Sequence, residues 1–417
     1  MTNPPDFPEV RNSSAGARKS RRVTRIVAIV IAALATVAVV AVVAFVAVVR
    51  KAQPSRPGSF YSLPAPLPKK PLGTVVRSEV LGGLPPGARG WKILYMSTSY
   101  TGKPTAVSGM VIVPARASSG LRPVVAFANG TVGVASNCAL SIQGAKHLDF
   151  LHGLRAYLDA GDAAVMTDYQ GLGTPGPHPY LVGRSEAETV LDSVRAAHNL
   201  TEAHAGRTFA VTGPSQGGHA ALFTGQLAAT YAPDLKLVGV AASAPPTDLK
   251  ELFRLKVERP FGKVLSAFAL DAWSHAYGHN LDNAFTPVAR PIVRRMLRLC
   301  IHNETQVLGF FPLTQILKIG YLKSLPWKTE PWKTDLEQNT PGKTKIPAPV
   351  LISQGDADLL VHPPVTAAFV KHLCAMGEKV EYRVYPGVVH DAGAQSASNV
   401  AAWIADRFAG KIPPSNC

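Results

Sequence analysis

The chain has 417 residues, is 47% apolar and carries 35 glycines and 35 prolines, which suits a folded, turn-rich enzyme and not a disordered chain. Its net charge of +16 is unevenly spread: nine basic and two acidic residues lie in the stretch ending at Arg56, and fifteen basic and nine acidic in residues 246–345. Zinc-finger spacing, an aromatic-rich RNA-binding signature and a dense basic stripe are all missing from the sequence, so nucleic acid is not expected as a partner.

The N-terminus is polar through residue 25 and ends in the cluster Arg18, Lys19, Arg21, Arg22 and Arg25. Residues 26–49 follow without a charge and are broken only by Thr36. At about 1.5 Å per helical residue they can cross a hydrocarbon core of roughly 30 Å. The run is longer than a signal-peptide core and lacks a convincing Ala-x-Ala site, so an uncleaved anchor is the reading and a cleaved signal the alternative. More positive charge precedes the span than follows it, which puts residues 1–25 in the cytoplasm as a basic tail and the body outside. Residues 50–72 are proline-rich and basic, the composition of a semi-rigid linker.

Strand-like runs separated by turn residues occupy 74–80, 91–98 and 106–113. From residue 124 short apolar runs (124–128, 163–167, 209–212, 237–242, 350–353) alternate with helical stretches such as 186–200. That rhythm predicts a mostly parallel sheet with helices on both faces. The alternation breaks for about a hundred residues after Ser243, an interval too long for a loop and holding helix-like pieces such as 292–299. The expected organisation is a sheet domain at 73–245 and 346–417 with a mainly helical cap inserted at 246–345. In the cap, Val307, Phe310, Phe311, Ile316, Leu317, Ile319, Trp327 and Trp332 alternate with lysines, the pattern either of a lipid-facing lid or of ordinary cap packing.

One turn in the sheet domain carries chemistry. The apolar run through Val211 ends at Gly213-Pro214-Ser215-Gln216-Gly217, and a helix-compatible sequence begins at once. Strand, sharp turn and helix around Gly-x-Ser-x-Gly is the pattern of a nucleophile elbow, in which side chains at the two glycines would collide with neighbouring backbone. Such a serine needs a base and an acid, which follow it in chain order in this architecture. After residue 353 the loop holds Asp356 and Asp358. Asp358 fits the expected spacing, and a two-residue shift would give Asp356. His390 stands in the loop after the strand-like run 380–385 and before the terminal helix 398–408, where the base belongs. His219 is nearer to Ser215 in sequence but lies within the elbow helix, expected to point away from the hydroxyl. Two backbone donors complete the set: the amide of Gln216, and one from the loop after the run 124–128, which reads Asn129-Gly-Thr-Val-Gly133.

Several segments together resemble the secretory lipase family of α/β-hydrolases. They are Asn129-Gly-Thr-Val-Gly133 followed by Cys138-Ala-Leu-Ser141, the run from Asp168 to Tyr180, Gly213-Pro-Ser-Gln-Gly-Gly218 and Ala244-Pro-Pro-Thr-Asp-Leu249. The resemblance spans roughly residues 58–410. It implies the α/β-hydrolase fold with a cap, a Ser215–Asp358–His390 triad, and an oxyanion site at Gly130, Thr131 and Gln216. It also implies disulfides pairing Cys138 with Cys300 and Cys374 with Cys417. Asn129 departs from the family pattern, standing where many relatives have histidine. The reaction expected is hydrolysis of lipid or other carboxylic esters, with no metal or organic cofactor and no obligate protein partner. An acyltransferase or peptidase could use the same residues, and a non-catalytic, membrane-tethered binding protein is the rival of another class.

Overall fold

A computed structural model describes residues 14–417, so the first part of the basic tail, residues 1–13, lies outside the described residues. The chain forms two compact units, Met1–Ala52 and Gln53–Cys417. In the first, a helix runs over Ser14–Ala52, and its stretch Arg22–Lys51, whose most apolar 18 residues have a mean hydropathy of 3.2, is long and apolar enough to cross a membrane.

The second unit is built on one nine-stranded sheet. In chain order the strands are β1 (Val75–Val80), β2 (Ala88–Thr98), β3 (Pro104–Pro114), β4 (Arg122–Phe127), β5 (Ala163–Thr167), β6 (Ala205–Pro214), β7 (Lys236–Ser243), β8 (Val350–Gly355) and β9 (Val380–Tyr385). Their spatial order is β1-β2-β3-β5-β4-β6-β7-β8-β9. The pairings from β1 to β5 are antiparallel, and those from β5 through β4 to β9 are parallel. The fold is therefore the mostly parallel α/β-hydrolase sheet expected from the alternation of apolar runs and helices.

The order around β4 determines where a site can form. The chain leaves β4 for β5 on one side, then crosses back to β6 on the other. At such a switch the loops leaving the carboxyl ends of β4 and β6 diverge and open a crevice. Those two loops carry Gly130 and Ser215. The strands below them are solid core: Val124, Val125 and Ala126 of β4 and Phe209, Ala210 and Val211 of β6 are fully buried.

Between β7 and β8 the described residues form helices, among them Leu249–Lys256, Pro260–Tyr277, Ala289–Met296, Phe311–Ile316 and Trp332–Gln338. Local chemistry sets their ends. The Asp248 side chain accepts from the Glu251 amide, capping Leu249–Lys256. Pro260 opens the next helix, and Gly278, at φ 75°, closes it. Their inward faces form a second apolar cluster around the fully buried Trp273, which Tyr180, Leu181 and Val182 join from the sheet side of the sequence. Burying one such large side chain contributes about 1.5–3 kcal/mol. The apolar stretch noted in this interval divides: Phe310, Leu313, Leu317 and Trp332 are buried, while Phe311, Ile316 and Ile319 are exposed.

Both cysteine pairs are bonded, Cys138 to Cys300 and Cys374 to Cys417. The outer edge of β9 is occupied by residues near Cys417: the Asn416 amide donates to the Val380 carbonyl (3.0 Å), and its side chain both accepts from the Tyr382 amide and donates to the Tyr382 carbonyl, each at 2.8 Å.

Candidate active site

Ser215 stands between β6 and the helix Gln216–Tyr231 at φ 53°, ψ −121°, a left-handed conformation that a residue with a side chain adopts only under constraint. The constraint is visible on both sides. Its amide donates to the Ser243 carbonyl of β7 (2.8 Å), and its carbonyl accepts from the His219 amide (3.1 Å). A Cβ on Gly213 would lie 2.4 Å from the Ala128 carbonyl oxygen, and one on Gly217 only 2.0 Å from it. Glycine at both positions lets the helix approach β4 closely enough to hold the serine out of the sheet.

His390 Nε2 lies 2.9 Å from Ser215 Oγ, and His390 Nδ1 lies 2.8 Å from Asp358 Oδ2. The carboxylate can only accept, so Nδ1 carries the proton and Nε2 is left free to accept the serine hydroxyl. Asp358 is buried and further held by the amides of Leu360 (2.8 Å) and Val361 (2.9 Å) and by Gln354 Nε2 (3.2 Å). Burial pushes its pKa up, but the hydrogen bond and charge of His390 and the two amides outweigh it, and the carboxyl sits below its ordinary value. Asp356 is turned elsewhere: it is exposed and accepts from the Gly387 amide at 2.7 Å. The structure thus brings Ser215, His390 and Asp358 into one hydrogen-bonded line and leaves Asp356 outside it.

Gly130 and Thr131 flank the serine on the neighbouring loop, where a Cβ on Gly130 would stand 3.4 Å from the Pro214 carbonyl oxygen. Thr131 is fixed by its hydroxyl, 2.9 Å from that of Tyr180. Gln216 is the first residue of its helix, so its amide has no helical carbonyl one turn behind it to donate to. Asn129 is buried beneath: its side-chain amide donates to the Thr167 carbonyl (2.8 Å), its backbone carbonyl accepts from the Tyr169 hydroxyl (3.0 Å), and its side-chain oxygen has no partner among the described residues.

Under the elbow lies a buried polar network that the sequence did not single out. Glu186, wholly buried, accepts from Gln216 Nε2 (2.8 Å) and the Leu181 amide (3.0 Å), and its second oxygen lies 2.8 Å from His219 Nδ1. His219 Nε2 in turn meets the Asn339 carbonyl at 2.7 Å. His178 donates from Nδ1 to the Gln170 carbonyl (3.0 Å) and sits 3.2 Å from Gln216 Nε2; burial pushes its pKa down to about 4, so it is neutral. Nothing local marks Glu186 out in the helix Gly183–Asn199, which also carries Arg184, Glu188, Asp192 and Arg195. Asp168, also buried, is held by Ser108 Oγ (2.7 Å) and by the Ser141 amide (3.0 Å) and hydroxyl, which explains the polar residues of that stretch as structural.

Ser215 opens on two cavities. A cleft of about 300 Å³ is lined by Gly130, Thr131, His152, Ser215, His390 and Asp391 among others. A narrower pocket of about 60 Å³ runs from Ser215 between Leu181, Leu249, Phe253, Val257 and Leu265.

A parallel sheet with a serine elbow at its switch point and a helical layer above it defines an α/β-hydrolase. Residues 147–416 match the secretory lipase family, and the chain belongs to that family of carboxylic-ester hydrolases. It is 28% identical to a probable inactive lipase of Mycobacterium tuberculosis (strain CDC 1551 / Oshkosh), over 87% of this chain and 84% of that one. It is 23% identical to lipase A of Moesziomyces aphidis, over 86% and 81%. Among solved structures it resembles Candida antarctica lipase A, with a TM-score of 0.73 and 20% identity over 86% of this chain and 87% of that one. It also resembles the rice cell wall degrading esterase LipA of Xanthomonas oryzae, with a TM-score of 0.68 and 20% identity over 82% and 99%.

Proposed function

We propose that the protein hydrolyses lipid or other carboxylic esters through an acyl-enzyme on Ser215. His390 Nε2 takes the hydroxyl proton as Ser215 Oγ attacks the acyl carbonyl. Asp358 holds the imidazole in the right tautomer and balances the charge it acquires. The amides of Gln216 and of Gly130 or Thr131 stabilise the tetrahedral oxyanion. The intermediate collapses as His390 protonates the departing alcohol oxygen. Water, activated by the same imidazole, then releases the acid. The observation that carries this reading is the continuous line Ser215 Oγ, His390, Asp358, at 2.9 and 2.8 Å.

The reading extends to location and layout. Residues 26–49 anchor the chain in the cytoplasmic membrane, with the hydrolase body on the far side and residues 246–345 as a cap over the site. The disulfides support an oxidising compartment for that body.

A second reading is a non-catalytic binding protein, and what favours it is the relative described as a probable inactive lipase. The presence here of all three side chains, within hydrogen-bond reach, weighs against it. Hydrolysis of an ester panel by the wild type and by Ser215→Ala decides between the two. Turnover lost in the variant supports the nucleophile. Equal turnover in both would remove it, and no turnover by either would favour binding.

A further inference from the structure

The segment that follows the proposed anchor is fastened to the hydrolase body from its first residue. The Gln53 side-chain oxygen accepts from the Cys300 amide (2.9 Å), and the Pro54 carbonyl accepts from Asn137 Nδ2 (3.1 Å). A few residues on, Phe60 and Tyr61 are buried, and the Tyr61 hydroxyl lies 3.1 Å from Ser141 Oγ. Arg77 Nη1 donates there to the Ser59 carbonyl (3.2 Å) and to that of Phe60. A chain held at both places is a strap along the body and does not extend as a free spacer.

The strap is fastened beside the site. Cys300 is bonded to Cys138 and pairs backbone to backbone with Gly133, and the Ile301 amide donates to the Val132 carbonyl (2.9 Å). Val132 and Gly133 continue the loop of Gly130 and Thr131, and Ile301 itself lines the cleft that Ser215 and His390 share. Gln53 is thus separated from a wall of that cleft by Cys300 alone. Only residues 50–52 lie between Gln53 and the apolar run 26–49, and a fully extended chain covers that gap in about 14 Å at most. Just before Cys300 come the exposed Arg294, Arg295 and Arg298. Arg294 is paired with Asp282 at 3.2 Å, whereas Arg295 and Arg298 have no ion-pair partner among the described residues. Exposed guanidinium groups so placed suit the phosphates of anionic lipid headgroups.

We propose that the strap holds the Ser215 cleft at the surface of the membrane that anchors the chain, with Arg295 and Arg298 toward its headgroups, and that the enzyme takes lipid esters directly from that membrane. This step rests on the readings of Ser215 as nucleophile and of residues 26–49 as anchor. The test uses the full-length protein in vesicles of phosphatidylcholine and phosphatidylglycerol that also contain a fluorogenic diacylglycerol, with p-nitrophenyl acetate as the water-soluble ester. Inserting about thirty Gly and Ser residues between Ala52 and Gln53 leaves the strap in place and lets the body drift roughly 30 Å from its anchor. Because effective concentration falls steeply with tether length, diacylglycerol hydrolysis should drop about tenfold or more, while the acetate rate stays within about twofold. Arg295→Glu combined with Arg298→Glu should lower diacylglycerol hydrolysis about threefold or more and spare the acetate. Diacylglycerol hydrolysis unchanged by the insertion overturns the proposal and leaves ester hydrolysis standing. So does a wild type that turns over the acetate and not the diacylglycerol. If the insertion abolishes acetate turnover as well, the arginine pair decides, and an unchanged diacylglycerol rate there overturns the proposal. A wild type that fails to float with the vesicles overturns the anchor and this proposal with it, whereas equal turnover by Ser215→Ala overturns the nucleophile.

Discussion

Gln216 turns its side chain away from Ser215 and onto Glu186, with Nε2 2.8 Å from the carboxylate. The residue that follows the proposed nucleophile is thereby held by a buried carboxyl group. Replacing Glu186 by alanine leaves Gln216 Nε2, the Leu181 amide and His219 Nδ1 without this acceptor in a dry interior. A loss of about 3–5 kcal/mol in unfolding free energy is expected, as for breaking a buried charge network. Urea denaturation of the wild type and Glu186→Ala measures it, and a change under about 1 kcal/mol would refute the role given to the carboxylate.

The acid of the proposed triad is open to a paired test. Asp358→Asn presents an amide to His390 Nδ1 and favours the wrong tautomer, so kcat is expected to fall by about 10⁴ with little change in KM. Asp356→Asn alters only a bond from the Gly387 amide, and a change of less than about fivefold is expected, in keeping with a solvent-exposed site. Reversal of the two effects would move the acid to Asp356.

The bond between Cys138 and Cys300 closes a loop of 162 residues and sits beside the proposed oxyanion loop, where the Ile301 amide donates to the Val132 carbonyl at 2.9 Å. Loop-closure entropy for a ring of that size is worth about 5 kcal/mol. The double variant Cys138→Ala, Cys300→Ala should therefore lose stability of about 2–5 kcal/mol. It should also lose kcat, because the loop carrying Gly130 and Thr131 is no longer pinned. Thermal melts and initial rates on one ester report both effects, and unaltered rates would separate the bond from the site.

His302 supplies a pH signature. Burial is the main cause that pushes its pKa down to about 4, aided by the nearby His147 and opposed by the hydrogen bond to the Cys138 carbonyl and by Asp149. The unfolded chain takes up this proton near pH 6.5 and the folded chain only near 4, so its contribution to stability is present above about pH 6.5 and is lost as pH falls toward 4. Asp162 and Asp192, raised to about 6 by burial, act in the opposite sense over the same interval, which is why a difference measurement is needed. His302→Gln should flatten the fall in Tm between pH 6.5 and 4 relative to wild type; an unchanged slope would count against the assignment.

Much of the sheet was legible because its strands announce themselves chemically. The β-branched run ending at Gly213 and the glycines on either side of Ser215 leave few backbones that fit, and the structure has β6 end at Pro214 and the helix start at Gln216. What the sequence could not reveal is pairing at a distance. Nothing local says that β5 slips between β3 and β4, although that exchange creates the crevice at Ser215. Nothing in the neighbourhood of His219 says that its partners are Glu186, 33 positions away, and the carbonyl of Asn339, 120 away. The interval after Ser243 was legible as helical but not in its packing: its apolar residues follow no single periodicity, because some face Trp273 and others, such as Ile319, face outward.

The occupied edge of β9 has a consequence for handling the protein. An uncovered edge strand is a template on which a second chain can add itself. Here Asn416 satisfies the polar groups of Val380 and Tyr382, and the Cys374–Cys417 bond keeps it there. Thiol reductants that open the Cys374–Cys417 bond therefore release Asn416 from the edge of β9 and put solubility at risk.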